Sequence, residues 1–215
     1  MKKLIIVSAI AAVAFGACKK TDGPVSTLHN YSKPTIKMAA GDYYSIPVGG
    51  MLPEIKATAY DSFYNEQCTV VYDQTKLDNL VPGIYPVVAT SKNKYGMAAN
   101  RTLWVAVTNI TDSINLGGSY ARAATSDTVQ VTKLARGFYR TSDVGANGAS
   151  DTTHVISAYF IQTTPVELLM PAQSTKFGTL SATGGTINTV ASDTTFEYSI
   201  QNNFFTNETR VFRKF

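Results

Sequence analysis

Cysteine and histidine are scarce in this chain of 215 residues, which contains only two of each. A common zinc site needs several Cys or His ligands at short spacings, and the sequence offers no such group. The sequence also lacks Gly-x-Ser-x-Gly, His-Glu-x-x-His and a phosphate-binding glycine loop. These absences predict a protein that is not an enzyme, holds no metal and uses no cofactor.

Charge is also scarce, since 16% of the residues are charged and 44% are hydrophobic. The formal net charge of +4 falls to +2 without Lys2 and Lys3, and the basic residues form no stripe. Proteins that bind nucleic acid concentrate Lys and Arg on one face, so nucleic acid is not an expected partner. The composition is typical of a folded, exported protein.

One long apolar run occurs, at residues 4–15, directly after two lysines. It is too short to span a bilayer and has the length of a signal-peptide core. The residues Phe15-Gly16-Ala17-Cys18 resemble the lipobox of bacterial lipoproteins. This resemblance implies a signal peptide at residues 1–17, lipid on Cys18, and an outer-membrane lipoprotein on the periplasmic or the cell-surface face. The alternative is an ordinary secretory signal with a chance cysteine.

Lipid on Cys18 would leave Cys68 without a disulfide partner in the chain. Cys68 alternates with Val70 and Tyr72, which predicts a small buried side chain on a strand. Residues 18–33 are polar and irregular, and we interpret them as a tether between the lipid and the first domain.

Short strands separated by turn residues fill residues 34–108. Pro86 lacks an N–H and predicts an edge position or a bulge, while Tyr85 is expected to direct its hydroxyl to the backbone. The segment resembles the Ig-like domains of bacterial surface proteins, which implies a β-sandwich and no activity. The motifs that carry the resemblance are Pro34 with Ile36, Val48-Gly49, Ala59 with Asp61, Pro82-Gly83-Ile84-Tyr85, and Gly96 with Arg101.

A polar junction at residues 108–115 predicts a hinge, and residues 115–215 indicate a second all-β domain. Eight strand-like segments without helical periodicity predict consecutive antiparallel strands, closed or nearly closed into a barrel. The segments are residues 118–122, 128–133, 137–141, 154–162, 166–170, 186–190, 195–201 and 209–214, and His154 is expected on its strand beside Tyr and Phe. Residues 116–120 and 134–148 resemble the C-terminal domains of Bacteroides-type two-domain exported lipoproteins, which also follow an Ig-like domain. The predicted fold class is all-β, with an N-terminal Ig-like β-sandwich followed by an antiparallel β-meander barrel or sandwich.

Aromatic residues are plentiful, with 12 Tyr, 10 Phe and one Trp. Many must fill the two cores, but some lie beside turns or in polar runs such as QNNFFTNE. A ring can pack on the C–H groups of a sugar while neighbouring amides bond its hydroxyls. The candidate ligand-binding residues are therefore Tyr139, Tyr159, Phe204 and Phe205. The alternative is that each of these rings closes an end of the barrel.

Oxygen-bearing side chains offer two further candidates for a site. Asp143, Asn147 and Asp151 lie in one loop, but their spacing does not match an EF-hand, so we expect a solvated loop and no metal. Carboxylate pairs serve glycoside hydrolysis, yet nothing in the sequence brings the candidates to one cleft. Those candidates are Glu167, Glu197 and Glu208.

The sequence therefore predicts a membrane-anchored, non-catalytic binding accessory whose first candidate ligand is a glycan. The glycan rests on analogy with other anchored proteins of such bacteria. The alternative is a structural or adhesive protein of the cell envelope without a small-molecule ligand. The expected partners are the membrane, through lipid on Cys18, and a glycan or an envelope protein.

Lipid attachment is tested by the substitution Cys18→Ala. We expect radiolabelled palmitate to enter the wild-type protein but not the variant, because the thiolate of Cys18 is the acceptor of the diacylglycerol. The variant should also leave the membrane fraction. Equal labelling of both proteins would contradict the prediction.

Overall fold

The fold is described from a computed structural model that covers residues 32–111, 115–146, 152–190, 193–205 and 207–215. These residues are nearly all in β-strands and turns. Ser32–Phe215 form one compact unit. Within the described ranges, no helix is both long enough and apolar enough to cross a membrane. Cys18, Asn147 and Asp151, three positions named from the sequence, lie outside the described residues.

Seven strands in the first half form two sheets. One sheet has the order β1-β3-β4, and the other has the order β2-β7-β6-β5 with β2 parallel to β7. Side chains from both sheets, such as Ala59 of β3 and Ala99 of β7, pack in one cluster. The strands are β1 (Thr35–Met38), β2 (Tyr43–Ile46), β3 (Ala57–Asp61), β4 (Glu66–Cys68), β5 (Val70–Asp73), β6 (Gly83–Lys92) and β7 (Ala98–Val107).

Several local expectations for this half are confirmed. The Tyr85 hydroxyl donates to the carbonyl oxygen of Val81 at 2.9 Å. Pro86 lies in the part of β6 that pairs with β7 alone, because β5 pairs only from Val88 onward, so its missing N–H removes no ladder bond. Cys68 is buried, as predicted. Burial and the nearby carboxylates of Glu66 and Asp61 raise the pKa of its thiol.

Buried Asp61 organises the end of this half where the β3–β4 turn lies. Its carboxylate accepts hydrogen bonds from Ser32 Oγ at 2.8 Å, from Asn93 Nδ2 at 2.9 Å, and from two backbone amides of the turn. Although burial opposes ionisation, the bonds from Asn93 and Ser32 hold the pKa of Asp61 below its usual value. The carboxylate thereby fixes the entry of the chain at Ser32 against two turns.

Eight antiparallel strands in the second half form a closed barrel, which confirms the predicted meander. Each strand pairs with its neighbour in sequence, and the last strand pairs with the first. Among the residues described for this half, no helix interrupts the strands apart from a 3-10 turn at Thr152–His154. The strands are β8 (Gly118–Arg122), β9 (Thr128–Ala135), β10 (Phe138–Thr141), β11 (Ala158–Thr164), β12 (Glu167–Thr175), β13 (Gly178–Val190), β14 (Asp193–Gln201) and β15 (Thr209–Lys214).

The sequence prediction differs from the structure in at least three strands of the barrel. Strand β12 ends at Thr175, five residues beyond the predicted end at Met170. The strand predicted at residues 186–190 is the second part of the longer β13. Gly184-Gly185 looks like a turn in the sequence, but it forms a bulge with a register shift between Thr183 and Thr186. The strand predicted from His154 begins at Ala158 instead, because Thr152–His154 form the 3-10 turn.

Aromatic rings fill the inside of the barrel. On β14, Phe196, Tyr198 and Ile200 point inward and alternate with partly exposed residues. The ring of Phe196 lies 4.7 Å from that of Tyr120 and 4.9 Å from that of Phe212, measured between centroids. Eight strands leave an interior just wide enough for side chains, so these rings make a packed core.

The two halves meet in an apolar contact. Ala106, Phe138 and Ile161 are buried there together with the partly buried rings of Trp104 and Tyr159. The contact lies beside the β9–β10 turn, at the same end of the barrel as the β11–β12 turn. The polar junction from residue 108 onward, which the sequence predicts to be a hinge, directly follows β7, whose side chains take part in this contact.

Gly137 lies where the polar junction meets the barrel, at φ +62°. A Cβ atom there would clash with Ile110 Cγ2 and would lie 2.9 Å from Thr108 Cγ2, and both residues belong to the junction. Thr108 Oγ1 also donates to the carbonyl oxygen of Gln162 at 2.5 Å. The junction is thus held tightly against the barrel at its described residues.

The substitution Gly137→Ala tests this packing. We expect it to lower the free energy of unfolding by about 3 kcal/mol, because it adds a steric clash to the cost of a left-handed backbone. The matched control is Gly178→Ala, at φ +90° with no atom within 4 Å of the added Cβ, which should cost only about 1 kcal/mol. Denaturant unfolding measures both, and equal losses would contradict the packed junction.

Tyr43 provides a pH-dependent test of the contact between the halves. A hydrogen bond with the Tyr159 hydroxyl, at 3.2 Å between the oxygens, and burial raise the pKa of Tyr43 to about 12 from 10.0. The stabilisation is therefore complete below pH 10 and is lost as the pH rises through 12. Between pH 10 and pH 12, we expect the free energy of unfolding to fall less in Tyr43→Phe than in the wild type, as measured by urea unfolding. An identical decline in both proteins would contradict the assignment.

Candidate functional site

An open pocket of about 460 Å³ lies where the β12–β13 turn and the β14–β15 loop meet, at the barrel end opposite the β9–β10 turn. Its size is within the range of small-molecule sites, about 300–1,000 Å³. Most of its lining is polar, whereas typical small-molecule sites are mainly apolar. The lining residues are Phe177, Gly178, Thr179, Gln201, Asn202, Asn203 and Asn207.

Two chain segments that are distant in sequence form the pocket. The β12–β13 turn carries Phe177, and the loop between β14 and β15 carries the asparagines. Asn202 joins them, because its Nδ2 donates to the carbonyl oxygens of Phe177 at 3.2 Å and Thr179 at 2.8 Å. Its Oδ1 accepts from the backbone N–H of Phe204 at 2.8 Å. Asn202 is thus a positioning residue, because both its amide nitrogen and its amide oxygen already have hydrogen-bond partners within the protein.

Three rings form a cluster beside the pocket. The Phe204 centroid lies 4.9 Å from that of Phe177 and 4.6 Å from that of His154, and both pairs are stacked. Lys176 Nζ lies 4.9 Å from the Phe177 centroid and donates to the carbonyl oxygen of Thr153. Phe204 is 50% exposed, so half of its surface remains open to a ligand.

Phe205 points the other way and packs in the barrel core. Arg210 lies 5.4 Å from its ring centroid and is 3% exposed. Arg210 Nη1 donates to the carbonyl oxygen of Gly145 at 3.0 Å, and Arg122 Nη1 donates to the same oxygen at 3.3 Å. Burial and the charge of Arg122 lower the pKa of Arg210. These bonds hold the loop after β10 over the barrel end.

The structure separates the other two predicted site residues from the pocket. Tyr139 is fully buried in the barrel core, where its hydroxyl oxygen accepts from the Leu116 N–H at 3.2 Å. Tyr159 packs against Trp104 and Phe138 in the contact between the halves. Neither ring offers an open face to a ligand. Of the four predicted residues, Phe204 alone is exposed beside the pocket, and Phe205 anchors the same loop in the barrel core.

The three candidate carboxylates, Glu167, Glu197 and Glu208, do not face one another across a cleft. Glu197 lies on the outer face of β14 and accepts from Thr186 Oγ1 at 3.1 Å. Glu167 lies across β13 from it, since both pair with Thr186, which places their backbones about 10 Å apart on the outside of the barrel. Glu208 is 3.6 Å from Arg122 and mostly exposed. Asp143 accepts two backbone N–H bonds, and no metal-binding group of three or more side chains occurs among the described residues.

Sequence reasoning missed Phe177, His154 and Asn207 as members of the site. Phe177 stands in a Lys-Phe-Gly turn, and an apolar ring at the tip of a polar hairpin is the one local indication available. His154 was expected on a strand beside Tyr and Phe, but it stacks on Phe204 from a 3-10 turn. Their proximity depends on how the barrel closes.

Comparisons with protein-family models and with curated proteins found no match to this chain. Among solved structures, the chain is similar to the crystal structure of the lipoprotein BT2262 from Bacteroides thetaiotaomicron, with a TM-score of 0.40 and 15% sequence identity. The match covers 85% of this chain and 100% of that chain. A likeness this weak assigns neither a fold family nor a function.

The chemistry of the pocket suits an uncharged polyhydroxy ligand. Each asparagine or glutamine amide presents both donors and an acceptor, which matches a hydroxyl group that donates and accepts. Asn203 and Asn207 are exposed in the pocket lining, and neither side chain hydrogen-bonds to another described residue. The exposed Phe204 ring supplies an apolar face at the edge of the pocket.

Proposed function

We propose that this protein is a membrane-anchored, non-catalytic accessory that binds a glycan at the barrel-end pocket. The observation that carries the proposal is the combination of free amides with an exposed, stacked ring at one open pocket. Sugars present hydroxyl edges and C–H faces, and this pocket offers a partner for each.

The rigidity of the site supports the proposal. Asn202 fixes the β14–β15 loop against the β12–β13 turn, and Phe205 anchors the same loop in the core. A loop held in this way loses little conformational entropy when a ligand binds. Phe204 is positioned by its stacking on Phe177 and His154, so its ring is oriented before the ligand arrives.

The proposal includes no catalytic step. Hydrolysis of a glycan needs two carboxylates that face one bond across a cleft. Glu167 and Glu197 lie two strands apart on the outer surface of the barrel, and Glu208 lies beside Arg122. The pocket lining itself contains no carboxylate.

The anchor in the proposal is lipid on Cys18, for which the support is the sequence Phe15-Gly16-Ala17-Cys18. Several acyl chains hold a protein stably at a bilayer, whereas a single chain binds reversibly. The outer membrane is the proposed location, with the pocket available to glycans on the face where the protein is displayed.

A structural role without a ligand is the second candidate. The filled barrel and the packed junction at Gly137 favour it, because both restrict internal motion of the molecule. In that case the barrel-end pocket would be an incidental feature of the β14–β15 loop.

A glycan array with the mature protein tests the proposed function. We expect binding to neutral glycans, and we expect Phe204→Ala or the pair Asn203→Ala with Asn207→Ala to weaken it about 5- to 30-fold, as loss of about 1–2 kcal/mol implies. Titration calorimetry with the best array ligand gives the dissociation constant of each variant.

The matched control is Phe215→Ala, which removes an equally large and more exposed ring at the opposite barrel end. Its affinity should equal that of the wild type. Absence of any glycan signal, or equal losses in the Phe204 and Phe215 variants, would contradict glycan binding at this pocket and favour the structural role.

A further inference from the structure

A second exposed aromatic surface lies at the far end of the first half, and we call it the aromatic tip: Phe63, Tyr64, Lys94 and Tyr95. Phe63 and Tyr64 come from the β3–β4 turn, and Lys94 and Tyr95 come from the β6–β7 turn. The Tyr64 centroid lies 4.9 Å from that of Phe63 and 4.5 Å from that of Tyr95. Turns from two different sheets therefore merge into one surface.

The aromatic tip combines large exposed rings with a cation. Phe63 is 58% exposed and Tyr95 is 62% exposed. Lys94 Nζ lies 5.4 Å from the Tyr64 centroid and 5.2 Å from the Tyr95 centroid. Isolated exposed apolar residues are ordinary, but contiguous ones with a polar rim mark a contact with a partner or a membrane.

The chain enters the fold at the aromatic tip. Asn93, next to Lys94, donates from Nδ2 to the carbonyl oxygen of Ser32 at 2.9 Å. Ser32 Oγ donates to Asp61, two residues before Phe63. Thirteen residues separate Cys18 from Ser32, and a chain of that length reaches at most about 50 Å even when fully extended. A lipid on Cys18 would therefore keep this end of the protein close to the bilayer.

The charges near the aromatic tip suit an anionic surface. Lys33, Lys92 and Lys94 are exposed. Of the acidic residues there, Asp61 is buried and enclosed by hydrogen bonds, and Glu66 is partly buried and accepts from the Lys94 backbone N–H at 3.3 Å. Tyrosine rings favour the headgroup level of a bilayer, and nearby lysines are attracted to anionic lipids.

We propose that the aromatic tip docks on the surface of the lipid bilayer. The Phe63 and Tyr95 rings enter the headgroup layer, and Lys94 contacts anionic headgroups. The inference rests on the proposed lipid anchor, which brings the tip to the membrane. It goes beyond that anchor, because it gives the protein a fixed orientation on the bilayer.

If the aromatic tip docks on the bilayer, the proposed glycan pocket is held away from the membrane. Strand β7 runs from Ala98, beside the tip, to Val107, beside the barrel, which is a distance of about 30 Å for ten residues. The pocket lies at the barrel end remote from Gly137. The first half thus acts as a spacer with a membrane-facing end and a barrel-facing end.

Tryptophan quenching by brominated lipids tests the docking. The protein from residue 18 onward with Cys18→Ser carries no acyl chain, so the test is independent of lipid attachment. The native chain has one tryptophan, Trp104, which lies in the contact between the halves and serves as an internal reference. On anionic vesicles of phosphatidylethanolamine with phosphatidylglycerol, bromolipids should quench the added emission of Tyr95→Trp. Emission of the parent protein should not change.

The matched control is Leu80→Trp, which places an equally exposed ring at the barrel-facing end of the first half. Quenching of Tyr95→Trp alone supports the proposal. Equal quenching of both variants, or of neither, overturns it, and a tip that serves a protein partner gives the second result.

Vesicle sedimentation gives a measure without an added tryptophan. Lys94→Glu with Tyr95→Ser should lower partitioning to anionic vesicles roughly fivefold or more. Lys76→Glu with Leu80→Ser makes the same charge reversal and also removes a large exposed apolar side chain, in the loop at the other end, and should leave partitioning unchanged. Equal partitioning of both double variants overturns the proposal. Loss of palmitate labelling in Cys18→Ala, by contrast, reports only on the anchor.

Discussion

Pairing of the last strand with the first closes the barrel, and the rest of the second half depends on this closure. Phe212 of β15 lies opposite Arg122 of β8, and Lys214 Nζ reaches the carbonyl oxygen of Gly117 at 2.7 Å. Closing so long a chain segment costs conformational entropy. The inward rings offset that cost, since a fully buried large apolar side chain contributes about 1.5–3 kcal/mol. Closure also removes the two strand edges that would otherwise be open to other chains.

The barrel-end pocket is a consequence of the same closure. The loop that carries Asn203, Phe204 and Asn207 leads directly into β15, so its position is fixed only when β15 is paired on both sides. Within this loop, Phe204 faces outward and Phe205 faces inward. The buried ring holds the loop in place while the adjacent ring stays exposed, so the structural core and the proposed binding surface share neighbouring residues.

The apolar contact between the halves fixes the orientation of the barrel relative to the first half. Phe138 and Ile161 of the barrel are covered by Trp104 and Ala106 of β7, and Gly137 allows the junction to approach closely. The aromatic tip lies at the end of β7 remote from this contact, and the pocket lies at the barrel end opposite the β9–β10 turn. A protein anchored at one end and binding a ligand at the other needs such a stiff connection, because a loose one would let the pocket turn back toward the membrane.

The sequence alone determined the class of structure and much of the local detail. Alternation of apolar and polar residues predicted strands such as β14, and eight such segments predicted an antiparallel meander. The sequence left a barrel and a sandwich open, and the structure shows the closed barrel. Tyr85 and Cys68 were also placed correctly, since each depends on neighbours within a few residues. The bulge at Gly184-Gly185 was missed because a glycine pair has the same composition in a bulge and in a turn.

Only the tertiary structure decided which aromatic rings are available. Tyr139 and Tyr159 both stand near turns, but strand register turns Tyr139 into the core, and β7 covers the ring of Tyr159 from outside. Alternation shows which residues share a face, but it does not show which face a distant element covers. The stacking of Phe204 on Phe177 likewise depends on two turns that meet only at the rim of the closed barrel. The sequence could therefore predict that QNNFFTNE carries an exposed ring, while the partner of that ring was set by barrel closure.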